Sequence, residues 1–171
     1  RIFEKLRSDK ENIVLIGMPA SGKSTVGKII AHKMKREFID TDTVIEQREQ
    51  TDIPTIFAQK GQEYFRKVER EVLLDVGKMT GKVIATGGGV IENQDNLFPL
   101  KQKGIIFYLK RDIEKLDRKG RPLATSLDAV KTLFERRKGL YQNFADYSVD
   151  NNADINNTVK GILDIYENIS D

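Results

Sequence analysis

Residues 17 to 25 read GMPASGKST, and Gly17, Gly22, Lys23 and Ser24 fill the specified positions of the pattern G-x-x-x-x-G-K-[ST]. The flanks narrow the fold further. Asn12-Ile13-Val14-Leu15-Ile16 is a short apolar run rich in β-branched residues, while Val26, Ile29, Ile30 and Met34 recur at helical spacing. The motif therefore joins a strand to a helix. Its glycines let the backbone wrap with N–H groups pointing inward, and the helix start adds the positive end of its dipole, which together make a cradle for polyanionic phosphate. Pro19, Ala20 and Ser21 complete the loop, and Thr25 lies in the first helical turn. Lys23 is placed to reach the outer phosphates and Ser24 to ligate magnesium.

Further strand-like runs fall at Phe38-Ile39, Val83 to Ala85, Ile105 to Leu109 and, more weakly, Tyr147 to Val149, with helical patterns between them. This alternation predicts an α/β fold, a parallel sheet with helices on both faces. The 171 residues suit a single domain. The 29 basic and 26 acidic residues are interspersed and leave a net charge of +3, so no nucleic-acid stripe or membrane patch stands out. With no cysteine, disulfides and thiolate chemistry are excluded, and a reducing, cytoplasmic setting fits.

Ligands of such sheets bind beyond the C-terminal ends of the strands, so the residues there carry the functional reading. After the second strand comes Asp40-Thr41-Asp42, where extended backbone would point both carboxylates into the crevice. One could support magnesium while the other accepts a hydroxyl proton, although either could instead cap the following helix. After the third strand, Gly87-Gly88-Gly89 is more glycine than a turn needs, which suggests close approach of a small ligand. Arg66 sits near a helix start, and Arg137 continues the apolar stripe of Val130, Leu133 and Phe134. An inward guanidinium needs an anion, either an internal carboxylate or one carried by a substrate. Residues 117 to 127, with Gly120 and Pro122, read as a flexible flap that brings Arg118 and Arg121 towards nucleotide.

The ordered set of GMPASGKST, Asp40-Thr41-Asp42, Phe65-Arg66-x-x-Glu69, Thr86-Gly87-Gly88-Gly89, Arg121-Pro122-Leu123 and Arg137-x-x-Leu140-Tyr141 resembles shikimate kinase over nearly the whole chain. The resemblance implies a P-loop, nucleoside-monophosphate-kinase-like three-layer fold with a five-stranded parallel sheet. ATP and Mg2+ would be the cofactors, and the 3-hydroxyl of shikimate the acceptor. It makes Asp42 the base, and Asp40 and Ser24 the magnesium ligands. Arg66 and Arg137 would grip the substrate carboxylate, and Gly87, Gly88 and Gly89 would line the ring. Lys23 and Arg121 would steady the transferring group, with Arg118 near the nucleotide. Gluconate kinase shares the phosphate loop, but the paired arginines and the triple glycine argue against it. The enzyme is expected to act as a monomer, with neither nucleic acid nor membrane as partner.

Overall fold

The structure is a computed structural model that describes residues 10–116 and 126–169. Five parallel strands, β1 (Asn12–Ile16), β2 (Phe38–Asp40), β3 (Val83–Ala85), β4 (Gly104–Lys110) and β5 (Tyr147–Asp150), form one sheet in the order β2-β3-β1-β4-β5. Each run picked out from apolar periodicity is thus a strand: β1 and β3 keep the expected bounds, β2 and β5 gain a residue at the C-terminal end, and β4 gains one at each end. The register places Ile13, Val14 and Leu15 of β1 beside Val83, Ile84 and Ala85 of β3, with β4 paired on the other side from Asn12–Gly104 to Ile16–Tyr108.

Alternation along the strands divides the core into two layers. Val14, Ile16, Ile84, Ile106 and Tyr108 face one cluster, built with α3 (Ile53–Val76) and α5 (Leu127–Phe144). Ile13, Leu15, Val83, Ile105, Phe107 and Leu109 face the other, built with α1 (Lys23–Met34) and α6 (Ile155–Asn168). Two shorter helices, α2 (Thr41–Glu49) and α4 (Leu97–Lys101), complete the set among the described residues. No helix among these residues is long and apolar enough to cross a membrane.

Three local features set the site. Gly22, with φ 97°, turns the chain into α1, a conformation that glycine adopts without the Cβ penalty of other residues. α3 begins on Asp52, whose side chain accepts from Thr55 N, and bends at Gly61, where φ and ψ are 85° and 169°. Arg66 therefore lies near the start of the helical arm that follows the bend, as expected from the sequence. Ser126 and Leu127, the end of the flap expected from sequence, instead cap and open α5, Ser126 accepting from Ala129 N at 3.1 Å. The rest of that flap, with Arg118 and Arg121, lies outside the described residues.

Candidate active site

The C-terminal edge of the sheet borders a cavity of about 380 Å³. Pro19, Ala20, Gly22, Lys23, Ser24 and Thr25 line it together with Asp40, Asp42, Arg66, Arg137 and the triple glycine. Gly17 and Ser21 are absent from the lining and shape the loop from behind. Ser21 is fully buried, and its carbonyl accepts from Asn151 Nδ2 at 2.7 Å. Asn151 in turn accepts from Thr158 Oγ1 at 2.6 Å, so the start of α6 braces the phosphate loop. Nothing in the sequence pattern singles out Asn151, because its role depends on β5 and α6 folding back against residue 21.

Lys23 is buried, and its Nζ donates to the carbonyls of Gly17 and Met18, each at 2.8 Å. The ammonium thus spans the loop. Ser24 Oγ donates to Asp40 Oδ2 at 2.8 Å, while Asp40 Oδ1 accepts from the backbone N–H groups of Asp42 and Thr43 at 2.9 and 3.4 Å. The expected extended alternation of the two carboxylates is therefore corrected. Helix α2 starts at Thr41, so Asp40 is its cap and Asp42 lies in its first turn. Asp40 serves as cap and as partner of Ser24 together, because a carboxylate has two oxygens to give. Asp42 reaches the cavity from the helix instead, its Oδ1 standing 2.6 Å from where a Cβ on Gly87 would lie.

The triple glycine leaves room for the protein's own side chains. A Cβ on Gly88 would lie 2.8 Å from Pro19 Cδ, and one on Gly89 would collide with the Arg66 guanidinium. The backbone also takes part, since Gly87 N donates to the buried Thr41 Oγ1 at 3.2 Å and Gly88 O accepts from Tyr141 Oη at 2.6 Å. The groups that approach this bare backbone include side chains from α2, α3 and α5.

Both inward arginines have internal anions. Arg66 Nη1 donates to Glu69 Oε1 at 2.9 Å, and Arg137, 2% exposed, donates through Nη2 to Glu92 Oε2 at 2.9 Å. Glu69 is 1% exposed, and burial pushes its carboxyl up from an ordinary 4.5 to about 7. Arg66 and Arg137 oppose that shift, and the neighbouring Asp42 adds to it. Glu69 stood in the motif without a role, and Glu92 was missed because its partners lie 26, 44 and 45 residues away.

The raised Glu69 has a measurable consequence. Its folded-state pKa exceeds the unfolded one, so the stability that its proton contributes is complete below about pH 4.5 and is lost as pH rises through about 7. The loss amounts to about 3 kcal/mol. Glu69→Gln, permanently neutral and of the same shape, should flatten the fall in melting temperature between those limits. Unchanged pH dependence in the variant would assign the titration to another group.

Phosphate loops serve switches and motors as well as kinases, and the far half of this cavity separates the cases. Beside the loop, the lining carries a carboxylate, Asp42, and two guanidinium groups, around a volume fit for a small molecule. The fold and the site define a P-loop kinase of small molecules. Residues 19–167 match the family model for shikimate kinase, and the chain belongs to the shikimate kinase family. It is 41% identical over 150 residues to the shikimate kinase of Vibrio parahaemolyticus, a match covering 83% of this chain and 87% of that protein. The shikimate kinase of Acinetobacter baumannii, solved in complex with shikimate, has a TM-score of 0.89 at 33% identity and covers 96% of this chain and 97% of its own. That of Aquifex aeolicus has a TM-score of 0.80 at 39% identity, covering 91% and 96%. The sheet order and P-loop place the fold among nucleoside-monophosphate-kinase-like proteins, as expected from the sequence.

Proposed function

We propose that this chain transfers the terminal phosphoryl group of ATP to the 3-hydroxyl of shikimate, acting as a single-domain monomer in the cytoplasm. The observation that carries this reading is the arginine pair at the cavity. Arg66 and Arg137 both line it, and Arg137 Nε is buried without a hydrogen-bond acceptor among the described residues. A buried N–H left without a partner costs about 1–3 kcal/mol. An acceptor molecule bearing a carboxylate, as shikimate does, would supply the missing oxygen. Among the described residues, three guanidinium groups, those of Arg66, Arg136 and Arg137, share Glu92 and the partly protonated Glu69, which leaves positive charge to receive that anion.

The other roles follow from position. Ser24 and Asp40, joined by a hydrogen bond, are the oxygen donors for Mg2+. No group of three or more His, Cys, Asp or Glu among the described residues could hold a metal, which suits an ion that keeps waters and phosphate oxygens for its other ligands. When bound, ATP with Mg2+ supplies the phosphoryl group and shields its charge. Gly17, Gly22 and the loop amides hold the phosphates, and Lys23 stabilises charge on the outer ones. Asp42 orients the acceptor hydroxyl and takes its proton. Arg121 and Arg118, outside the described residues, are assigned to the nucleotide side on the family resemblance alone.

Titrating shikimate and its carboxamide against the parent protein and Arg137→Lys tests the assignment. The amide should bind more weakly by about 2 to 5 kcal/mol, because two desolvated guanidinium groups lose their anion. Arg137→Lys should also weaken shikimate, since a point charge cannot reproduce the planar fork, while ATP binding alone stays unchanged. Equal binding of acid and amide to the parent would make the arginines structural and remove the main support for this acceptor.

A further inference from the structure

We propose that Glu92 is a positioning residue for the acceptor carboxylate, fixing from outside the cavity the two guanidinium groups that grip it. The inference rests on the arginine grip proposed above and adds what orients it.

Glu92 ends the short turn Val90–Glu92 that follows the triple glycine. Its Oε2 accepts from Arg137 Nη2 at 2.9 Å and pairs more loosely with Arg66 Nη2 at 3.5 Å. One oxygen thus joins guanidinium groups delivered by two different helices, α5 and α3. The other oxygen, Oε1, accepts from Arg136 Nη2. With both oxygens taken, the carboxylate cannot turn freely. Arg136 is half-exposed and approaches from the solvent side, so it pins Glu92 outward.

The two arginines differ in their dependence on this residue. Arg66 has a second anchor, Glu69, whereas Glu92 is the only ion-pair partner of Arg137 among the described residues. A guanidinium is a rigid planar fork, so fixing one arm sets the direction of the others. Glu92 therefore determines where the buried Nε edge of Arg137 faces. Burial alone would raise the Glu92 carboxyl, but Arg137 and Arg136 outweigh it and hold it below the usual range. It stays ionised at neutral pH and keeps its hold.

A competing arrangement would have Glu92 occupy the place of the substrate carboxylate and leave when substrate arrives. The cavity argues against this, because Arg66 and Arg137 line it and Glu92 does not. The two arrangements also predict opposite signs. Removing a competitor would tighten substrate binding, and removing a positioning group loosens it.

The test is steady-state kinetics on the full chain for Glu92→Gln and Arg136→Gln, with shikimate and its carboxamide, alongside thermal melts. Glu92→Gln should raise the KM for shikimate roughly tenfold to a hundredfold. Its kcat should stay within about threefold of the parent, and the KM for ATP should not move. Preference for acid over amide should narrow. Arg136→Gln, at a half-exposed position, should change the same quantities in the same direction by less, and it carries the test if Glu92→Gln fails to fold. An unchanged or lowered KM for shikimate overturns the proposal. So does a parallel loss of kcat, both KM values and melting temperature, which is the mark of a merely structural residue. If the parent prefers the acid and both variants keep that preference in full, Glu92 alone loses its role; a parent with no preference would instead remove the arginine grip itself.

Discussion

Replacing Lys23 by alanine should lower turnover by roughly 10²–10³-fold or more, the scale seen when a preorganised charge-stabilising donor is removed. The fold should survive, with a modest loss of stability. Lys23 Nζ bridges the carbonyls of Gly17 and Met18, and those hydrogen bonds go with it, at a cost of about 1–3 kcal/mol for bonds to a charged group. The rest of the loop has independent support. Asn151 holds the Ser21 carbonyl, Val26 N donates to Gly22 O at 2.9 Å, and the apolar face of α1 stays packed through Val26 and Ile30. The hold of the ammonium on the loop and its proposed role towards phosphate separate experimentally. Melting curves measure the first, and turnover at saturating ATP and acceptor measures the second. Near-parental turnover would show that the loop is not the catalytic centre.

Strands, phosphate loop and inward arginine were legible because each is encoded locally. The apolar run before Gly17 can only be a buried strand, and Arg137 betrays itself by standing where Leu or Val would continue the stripe to Tyr141. Asp40 and Asp42 were found for a partly mistaken reason. The dipeptide spacing suggested extended alternation, but capping ended the strand at Asp40 and put Asp42 on a helix. What was not legible is what distant segments bring together. Asn151 braces a loop 130 residues earlier, and Glu92 meets arginines from two helices, so neither carries a periodic or motif signal. Glu69 had a position but no charge state until burial was known, because a carboxylate three residues after an arginine usually reads as a surface pair. The kink at Gly61 was likewise hidden, since an isolated glycine in a helical pattern is tolerated as often as it breaks the helix.

Replacing Asp42 by asparagine keeps the side chain's shape while removing its charge and its capacity to accept a proton. Turnover should fall by roughly a hundredfold or more, the lower end of what a positioned general base contributes. ATP affinity should stay near the parental value if Ser24 and Asp40, joined by their own hydrogen bond, hold the metal as proposed. Ser24 Oγ donates to Asp40 Oδ2, while Asp42 Oδ1 stands against Gly87. The same position predicts a second effect. Asp42 Oδ1 and Glu69 Oε2 lie 2.6 and 3.3 Å from the point where a Cβ on Gly87 would be, so the two carboxylates face one another across that glycine. The Asp42 charge is one of the groups that raise Glu69, and its loss should lower the Glu69 pKa below its present value of about 7, though burial keeps it above the ordinary 4.5. Stability should then decline with pH over a lower and narrower interval in the variant than in the parent, because a smaller upward shift means less stability to lose. Three measurements decide the matter together: turnover, ATP titration without acceptor, and melting temperature across pH 4 to 8. Equal losses of ATP affinity and turnover would move Asp42 to the metal site. A full loss of turnover with an unmoved Glu69 titration would keep Asp42 as the base and sever its coupling to Glu69.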